Sequence, residues 1–248
     1  VTFAISDVHA PVEDDPALIG SGPTVGDDST FASACDALRR AGILDAMPGS
    51  VRAHLDAGVA GRQPESIKPG DPRLRDAHYV LAGSRRDAMS AVADRAKGLG
   101  YHTVTIDSPT LGEARYAAGE FVEHARVLGQ QHQRPLCVIA SGETTVRVAG
   151  HGKGGRNQEF ALAAATDLAG LGTAALASVG TDGIDGPTNA AGAIADSATL
   201  ARARDRHLNA QTALQENDAY PFFLALGDLV ITGPTETNVG DVQILLVE

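Results

Sequence analysis

From residue 78 to residue 247 the sequence alternates short apolar runs with longer stretches of helical period, and this alternation restricts the fold more than any other feature. "HYVLAG" (78–83) reads as a strand and "RRDAMSAVADRAKGLG" (85–100) as a helix. "YHTVTI" (101–106) is the next strand and "LGEARYAAGEFVEHARVLGQQ" (111–131) the next helix. "PLCVIASG" (135–142) reads as a buried strand, "ETTVRVAG" (143–150) as a half-exposed one, and "RNQEFALAAATDLAGL" (156–171) as a helix. "AALASVG" (174–180) is a strand, helices are expected near 197–205 and 209–226, and "DLVITG" (228–233) and "VQILLV" (242–247) close the chain as strands. Strands that alternate with helices make β-α-β units, whose crossovers lay helices over the sheet. The expected class is α/β, a mostly parallel sheet flanked by helices.

The first part of the chain is built differently. "VTFAISDV" (1–8) reads as a strand that ends in Ser6-Asp7. A helix is expected over about 29–41, capped by Ser29 or Thr30 and stopped by Gly42, and a second over 48–58, opened by Pro48. Residues 61–76 hold three prolines and two glycines and make the best linker candidate. Domains are therefore expected at 1–70 and 71–248. A strand that starts at Val1 also suggests the C-terminal portion of a longer polypeptide.

In open α/β sheets, ligands collect beyond the carboxyl ends of strands. Four polar clusters fall at such ends: Ser6-Asp7, "ASGETT" (140–145), "GTDGIDGPT" (180–188) and "TGPTETN" (232–238). They are expected to converge on one cleft. "GHGKGGRNQEF" (150–160) is the sharpest of the local motifs. Its glycines allow close approach of a ligand, and Lys153 and Arg156 bring positive charge to a helix start that already favours anions. The spacing of Gly150, Gly152 and Gly155 also fits G-x-G-x-x-G, but a dinucleotide fingerprint should follow a buried parallel strand. The plainer reading is a glycine-rich hairpin exit. Asp182 and Asp185 read either as caps of nearby amides or as metal ligands or a general base. Mg²⁺ needs only one or two carboxylates when substrate phosphates complete its shell. Asp7 carries the same two readings. Thr235 and Asn238 sit in what is either a β-turn or another wall of the site. The eight histidines show no metal spacing and read as surface residues.

The formal net charge of −11 disfavours nucleic acid as a partner, because phosphate backbones demand clustered Lys and Arg. No apolar run reaches the roughly 18 residues of a membrane span, so no membrane partner is expected. Two widely separated cysteines, Cys35 and Cys137, show neither metal nor disulfide spacing. A reducing, cytoplasmic location is the expectation.

Several of these blocks, in fixed order, resemble a known family. "SGETTVRVAGHGKGGRNQEFAL", "GTDGIDGPTNAAGA", "NDAYPFFLALGDL" and "TGPTETNV" are similar to the C-terminal MOFRL domain of class II glycerate kinases. "SDVHAPVEDDPALIGSGPTVGDDSTF" and "KPGDP" resemble the segments that precede it. The resemblance implies an ATP- and Mg²⁺-dependent transferase, a kinase that phosphorylates D-glycerate at its 2-hydroxyl. Other members carry the name hydroxypyruvate reductase, which keeps an NAD(P)H-dependent reductase as an alternative. A non-catalytic binding fragment is the third reading. The resemblance also implies a MOFRL segment over about 135–248, preceded by the remnant of a Rossmann-like N-terminal domain. A homo-oligomer is compatible with it.

Carried onto this sequence, the resemblance places Lys153, Arg156, Asp182 and Asp185 in catalysis, with the two aspartates as the metal ligands. It places Gly154, Gly155, Asn157 and Glu159 from the glycine-rich block in substrate or nucleotide binding. Ser141, Gly142 and Glu143 join them, as do Asp7, Thr235 and Asn238. The sequence departs from the family where Ala140-Ser141-Gly142 has one glycine fewer, at Glu236 in place of a glycine, and at Arg85 in place of a common asparagine.

Overall fold

A computed structural model describes residues 1–248. The chain divides into two compact units, Val1–Ala4 with Asp14–Leu81, and Ile5–Glu13 with Ala82–Glu248. Strands β1 (Thr2–Ile5) and β2 (Tyr79–Gly83) form a two-stranded sheet.

The first unit holds helices α1 (Phe31–Arg40) and α2 (Gly49–Val59). Thr30 caps α1 in a reciprocal box with Ser33, which satisfies two amides that a helix start leaves open. The two helices meet where the Phe31 ring lies edge-on to His54, with centroids 5.3 Å apart. Gly58 makes this approach possible, since a Cβ there would fall 2.1 Å from the ring.

The second unit carries α3 (Arg85–Gly98), β3 (His102–Thr105), α4 (Ala114–Gln131), β4 (Leu136–Gly142), α5 (Arg156–Leu168) and β5 (Ala174–Gly180). It continues through β6 (Gly192–Asp196), α6 (Thr199–Asp205), α7 (Ala210–Gln215), α8 (Ala219–Leu226), β7 (Leu229–Val230) and β8 (Asp241–Val247). The six strands lie in the order β3-β4-β8-β5-β6-β7. Alternate residues of the central strands face opposite layers, as the two-residue period of a strand requires. Leu136 and Val138 of β4 and Leu245 of β8 pack with Phe121 of α4 and Phe160 of α5. Cys137 and Ile139 pack with Met89 and Ala93 of α3 on the other face. Each fully buried Leu or Phe here contributes about 1.5–3 kcal/mol. The thiol of Cys137 is pushed up to about 11 by that burial, and both cysteines are free.

The α/β class stands, but the expected mostly parallel sheet is corrected. Only β3 and β4 pair in parallel, whereas β4–β8, β5–β8, β5–β6 and β6–β7 are antiparallel. The helical crossovers α4 and α5 do make β3, β4 and β5 run in one direction. The last strand then enters between β4 and β5 in the opposite sense, and β6 returns beside β5 after a loop with no helix. Three further expectations change. Residues 143–150 form no strand, and the isolated bridge of Thr145 with Glu113 is their one ladder contact. The stretch 209–226 breaks into α7 and α8, because Asn217 turns with φ at 55°. The strand expected over 228–233 shrinks to Leu229–Val230.

Within the second unit, the segment from Ile5 to Glu13 is tied down by charge. Glu13 pairs with the buried Arg85 at 2.7 Å and with Arg86 at 3.0 Å, at the start of α3. Arg85, one of the departures from the family pattern, thus has a local partner. No helix is long and apolar enough to cross a membrane.

Candidate active site

The register of β8 gathers the site. Its first residue, Asp241, stands opposite Gly142 at the end of β4 and Gly180 at the end of β5. Ser141 fixes this corner by donating its hydroxyl to the Asp241 carbonyl at 2.6 Å. Arg156, the first residue of α5, grips the Asp241 carboxylate with two bonds, from Nε at 2.7 Å and from Nη2 at 2.9 Å. Such forked pairs are among the strong hydrogen bonds of proteins. The third guanidinium nitrogen, Nη1, lies 3.4 Å from Glu143, which is partly exposed. Burial works against the charge on Arg156, but the bond and charge of Asp241 outweigh it and raise its pKa.

The two aspartates of the 180–188 loop occupy different environments. Asp185 is 1 % exposed. Its oxygens accept the backbone N–H groups of Asn157 at 3.0 Å and Gln158 at 2.8 Å. It is an internal anion on the positive end of α5. Burial pushes its carboxyl up to about 6, against the pull of those amides and of Arg156. Gly155 allows the approach, since a Cβ there would stand 2.3 Å from the Asp185 Cγ. Asp182 lies nearer the surface, and one oxygen accepts Ile184 N–H at 3.0 Å in a tight turn. A Cβ on Gly180 would meet Asp182 Oδ1 at 2.9 Å and Asp241 Oδ1 at 3.5 Å, so both carboxylates flank that glycine.

The other clusters join at the same end. Thr235 donates its N–H to the Asp182 carbonyl at 3.0 Å and its hydroxyl to the Thr181 carbonyl at 2.6 Å. Asn238 donates to Asp7 at 2.8 Å and accepts from Gly240 N–H at 3.0 Å. His9 is a correction to the surface reading of the histidines. Both its ring nitrogens are buried without a partner, and Nε2 would stand 2.6 Å from a Cβ on Gly240.

The glycine-rich loop is held from behind. Asn217 accepts the amides of Ala149 at 2.8 Å and Gly150 at 3.0 Å. Glu216 accepts Gly152 N–H at 2.7 Å through its carbonyl, and the Asp218 carboxylate accepts Lys153 N–H at 2.8 Å. The amides of Gly154, Gly155 and Arg156 have no acceptor within the chain. Glu159 is buried between Arg115, at 2.6 Å, and the Asn217 side chain, at 2.9 Å. Asn157 is buried as well and accepts the Ser178 hydroxyl at 2.6 Å. Lys153 is exposed, with its ammonium 4.6 Å from the centre of the Tyr220 ring.

The structure thus brings Asp7, Ser141, Gly142, Glu143, Gly154, Gly155, Arg156, Asp182, Thr235 and Asn238 to one end of the sheet. Asn157, Glu159 and Asp185 lie beneath it in internal bonds. Asp241, Asn217 and Arg115 belong to the arrangement and were missed. The one sequence signal for Asp241 is a charge directly before a mostly apolar strand.

A cavity of about 530 Å³ opens beside Arg156, between the glycine-rich loop and the Gly186-Pro187 turn. No group of three or more His, Cys, Asp or Glu side chains could hold a metal ion unaided. One oxygen each of Asp182 and Asp7 has no internal partner. That set fits Mg²⁺ only when phosphates complete its shell, which is the usual way Mg²⁺ is held.

The MOFRL family pattern matches residues 136–241, the stretch that carries this corner of the sheet. Residues 136–241 are a MOFRL domain. A domain of unknown function, DUF4147, matches residues 1–56. The chain is similar to the glycerate 2-kinase of Pyrococcus horikoshii, at 36 % identity over 100 % of this chain and 56 % of the relative. It is similar to the D-glycerate 2-kinase of Thermotoga maritima at 35 %, with the same coverage. An Agrobacterium vitis protein with a hydroxypyruvate reductase name is 37 % identical over 100 % of this chain and 55 % of its own. The crystal structure of the T. maritima glycerate kinase superposes with a TM-score of 0.85, at 34 % identity, over 99 % of this chain and 57 % of that one. The chain therefore spans little more than half the length of the relatives it matches. The MOFRL match contains Arg156, Asp182 and Asp241, whereas Asp7 and His9 lie within residues 1–56, the DUF4147 match.

Proposed function

We propose that this chain supplies the C-terminal part of a glycerate 2-kinase, which moves the γ-phosphoryl group of ATP to the 2-hydroxyl of D-glycerate and yields 2-phosphoglycerate. The observation that carries this reading is Arg156, locked by Asp241 on one side and turned toward a partly exposed Glu143 and the cavity on the other. Phosphoryl transfer depends mainly on positioning and charge neutralisation, and a rigid guanidinium suits both. The names of the P. horikoshii and T. maritima relatives support the same assignment.

In this reading Arg156 Nη1 takes a phosphate oxygen, with Glu143 yielding its place. Asp241 holds the guanidinium in position. Asp185 fixes the first turn of α5 and so the root of Arg156. Asp182 and Asp7 hold Mg²⁺, which when bound neutralises phosphate charge. Thr235 and Asn238 brace the two loops that carry those carboxylates. Lys153 remains on Tyr220. The first seventy residues continue a Rossmann-like N-terminal domain, and a cytoplasmic location goes with the activity.

The reductase reading has less behind it. No strand runs into Gly150, and the amides of Ala149, Gly150, Gly152 and Lys153 are already bound. A pyrophosphate would find few donors there. Thermal unfolding of this chain separates the two. MgATP is expected to raise the melting temperature and NADH to leave it unchanged. Replacing Arg156 with alanine removes a charge-assisted contact of about 1.5–3 kcal/mol, so affinity for MgATP should fall at least tenfold. A rise with NADH and none with MgATP would overturn the assignment.

A further inference from the structure

The cavity beside Arg156 has a chemistry of its own. Its volume, about 530 Å³, suits an organic ligand of nucleoside size and far exceeds the needs of a three-carbon acid. Val146, Val148, Pro187 and the Gly154-Gly155 backbone line it, with Arg156 as its only cation. The two other charged groups that line it are Glu143 and Glu159, both carboxylates. Glu159 is already paired with Arg115.

A triphosphate cannot be cradled here. The amides of Ala149, Gly150, Gly152 and Lys153 are taken by the 216–218 segment, and those of Asn157 and Gln158 by Asp185. Only Gly154, Gly155 and Arg156 keep free N–H groups along this wall. One guanidinium and a few amides suit a single phosphate at the edge of a largely apolar slot. The remaining phosphate charge must lie past Arg156, on the side of Asp182 and Asp241, where the open carboxylate oxygen is found.

Resting on the kinase reading, we propose that this cavity holds the adenosine end of ATP, with its first phosphate at Arg156, and that D-glycerate does not enter it. The apolar walls cover the faces of the base. The free amides of Gly154 and Gly155 offer donors to ring or ribose oxygen and nitrogen acceptors. Val148, 76 % exposed at the rim, provides the outer wall.

The chain contains no tryptophan, so Val148→Trp installs a single reporter at the rim. Bases stack on aromatic side chains whatever their sequence. Adenosine and AMP are expected to quench the new tryptophan saturably, and D-glycerate to leave it unchanged. In the same background Arg156→Ala should weaken AMP at least tenfold and leave adenosine within twofold. Methyl NMR of the unaltered chain provides the check that needs no variant: Val146 and Val148 signals should move with adenosine. Quenching by D-glycerate but not adenosine would make the cavity the acid subsite. No response to any of the three, in either experiment, would equally overturn the proposal. A melting-temperature rise with MgATP alongside a silent reporter would sink this location and leave the kinase reading intact. A responsive reporter without any MgATP effect would do the reverse.

Discussion

Asp182 and Asp185 stand three residues apart in one glycine-rich loop, and the fold treats them as different kinds of group. Asp185 is swallowed by the start of α5, where two backbone amides hold its oxygens. Asp182 stays nearer the surface in a turn of its own, beside the Asp241 carboxylate and with one oxygen open. The loop's polar character therefore serves two ends. Its second half builds the root of Arg156, and its first half leaves one carboxylate oxygen of Asp182 without an internal partner. The Asp185 carboxylate takes up the amides of Asn157 and Gln158, which leaves the Arg156 side chain and the amides of Gly154, Gly155 and Arg156 as the open donors of this corner.

The sharpest way to break this comparison is through pH. Asp185 has a folded pKa of about 6 against an ordinary value of 3.8. Its raised folded value means that its stabilising contribution is fully present below about pH 4 and is lost as pH rises through about 6. Two units at 1.36 kcal/mol each correspond to a change on the order of 3 kcal/mol. Denaturant unfolding from pH 4 to 7 should show wild type losing stability relative to Asp185→Asn by that order. A constant difference across the range would contradict the burial of this carboxyl.

A smaller effect is expected at the glycines that admit it. Gly155→Ala would force a Cβ to within 2.3 Å of Asp185, while at Gly154 the nearest atom is 3.3 Å away. The first substitution should cost about 1–3 kcal/mol, the usual range for overpacking, and the second less. Equal costs in urea unfolding would mean that Asp185 is free to move. The smallest effect belongs to Lys153. Its contact with Tyr220 is exposed, so Lys153→Ala should lose about 0.5–1 kcal/mol and leave stabilisation by MgATP unchanged. A loss of that stabilisation would return Lys153 to the phosphate site.

Much of this was legible in the sequence. The runs at 101–106, 135–142, 174–180 and 242–247 are strands because each is short, apolar and β-branched or flanked by turn formers. Thr30 announced the start of α1. The convergence of the polar clusters followed from their position at strand ends. What escaped the sequence depends on long-range placement. Nothing local distinguishes a strand that joins an edge from β8, which enters between β4 and β5 and turns a parallel set into an antiparallel sheet. Asp241 stands just before the apolar run 242–247, and nothing local marks it out because its partner, Arg156, is far away in sequence. The glycine-rich loop looked like an anion cradle because its acceptors, Glu216, Asn217 and Asp218, arrive from the break between α7 and α8. Asp182 and Asp185 were indistinguishable for the same reason: composition gives the carboxylate and the turn, while only packing decides which one enters a helix.

The central claim is that one of these aspartates serves the ligand and the other serves the fold. Thermal unfolding of Asp182→Ala and Asp185→Ala, each with and without MgATP, tests it most directly. Asp182→Ala should melt close to wild type and lose most of the rise that MgATP gives. Asp185→Ala leaves two buried amides unsatisfied, at about 1–3 kcal/mol, so it should melt lower and still rise with MgATP. The opposite pattern, an unstable Asp182→Ala that responds fully and a stable Asp185→Ala that does not respond, would contradict the account.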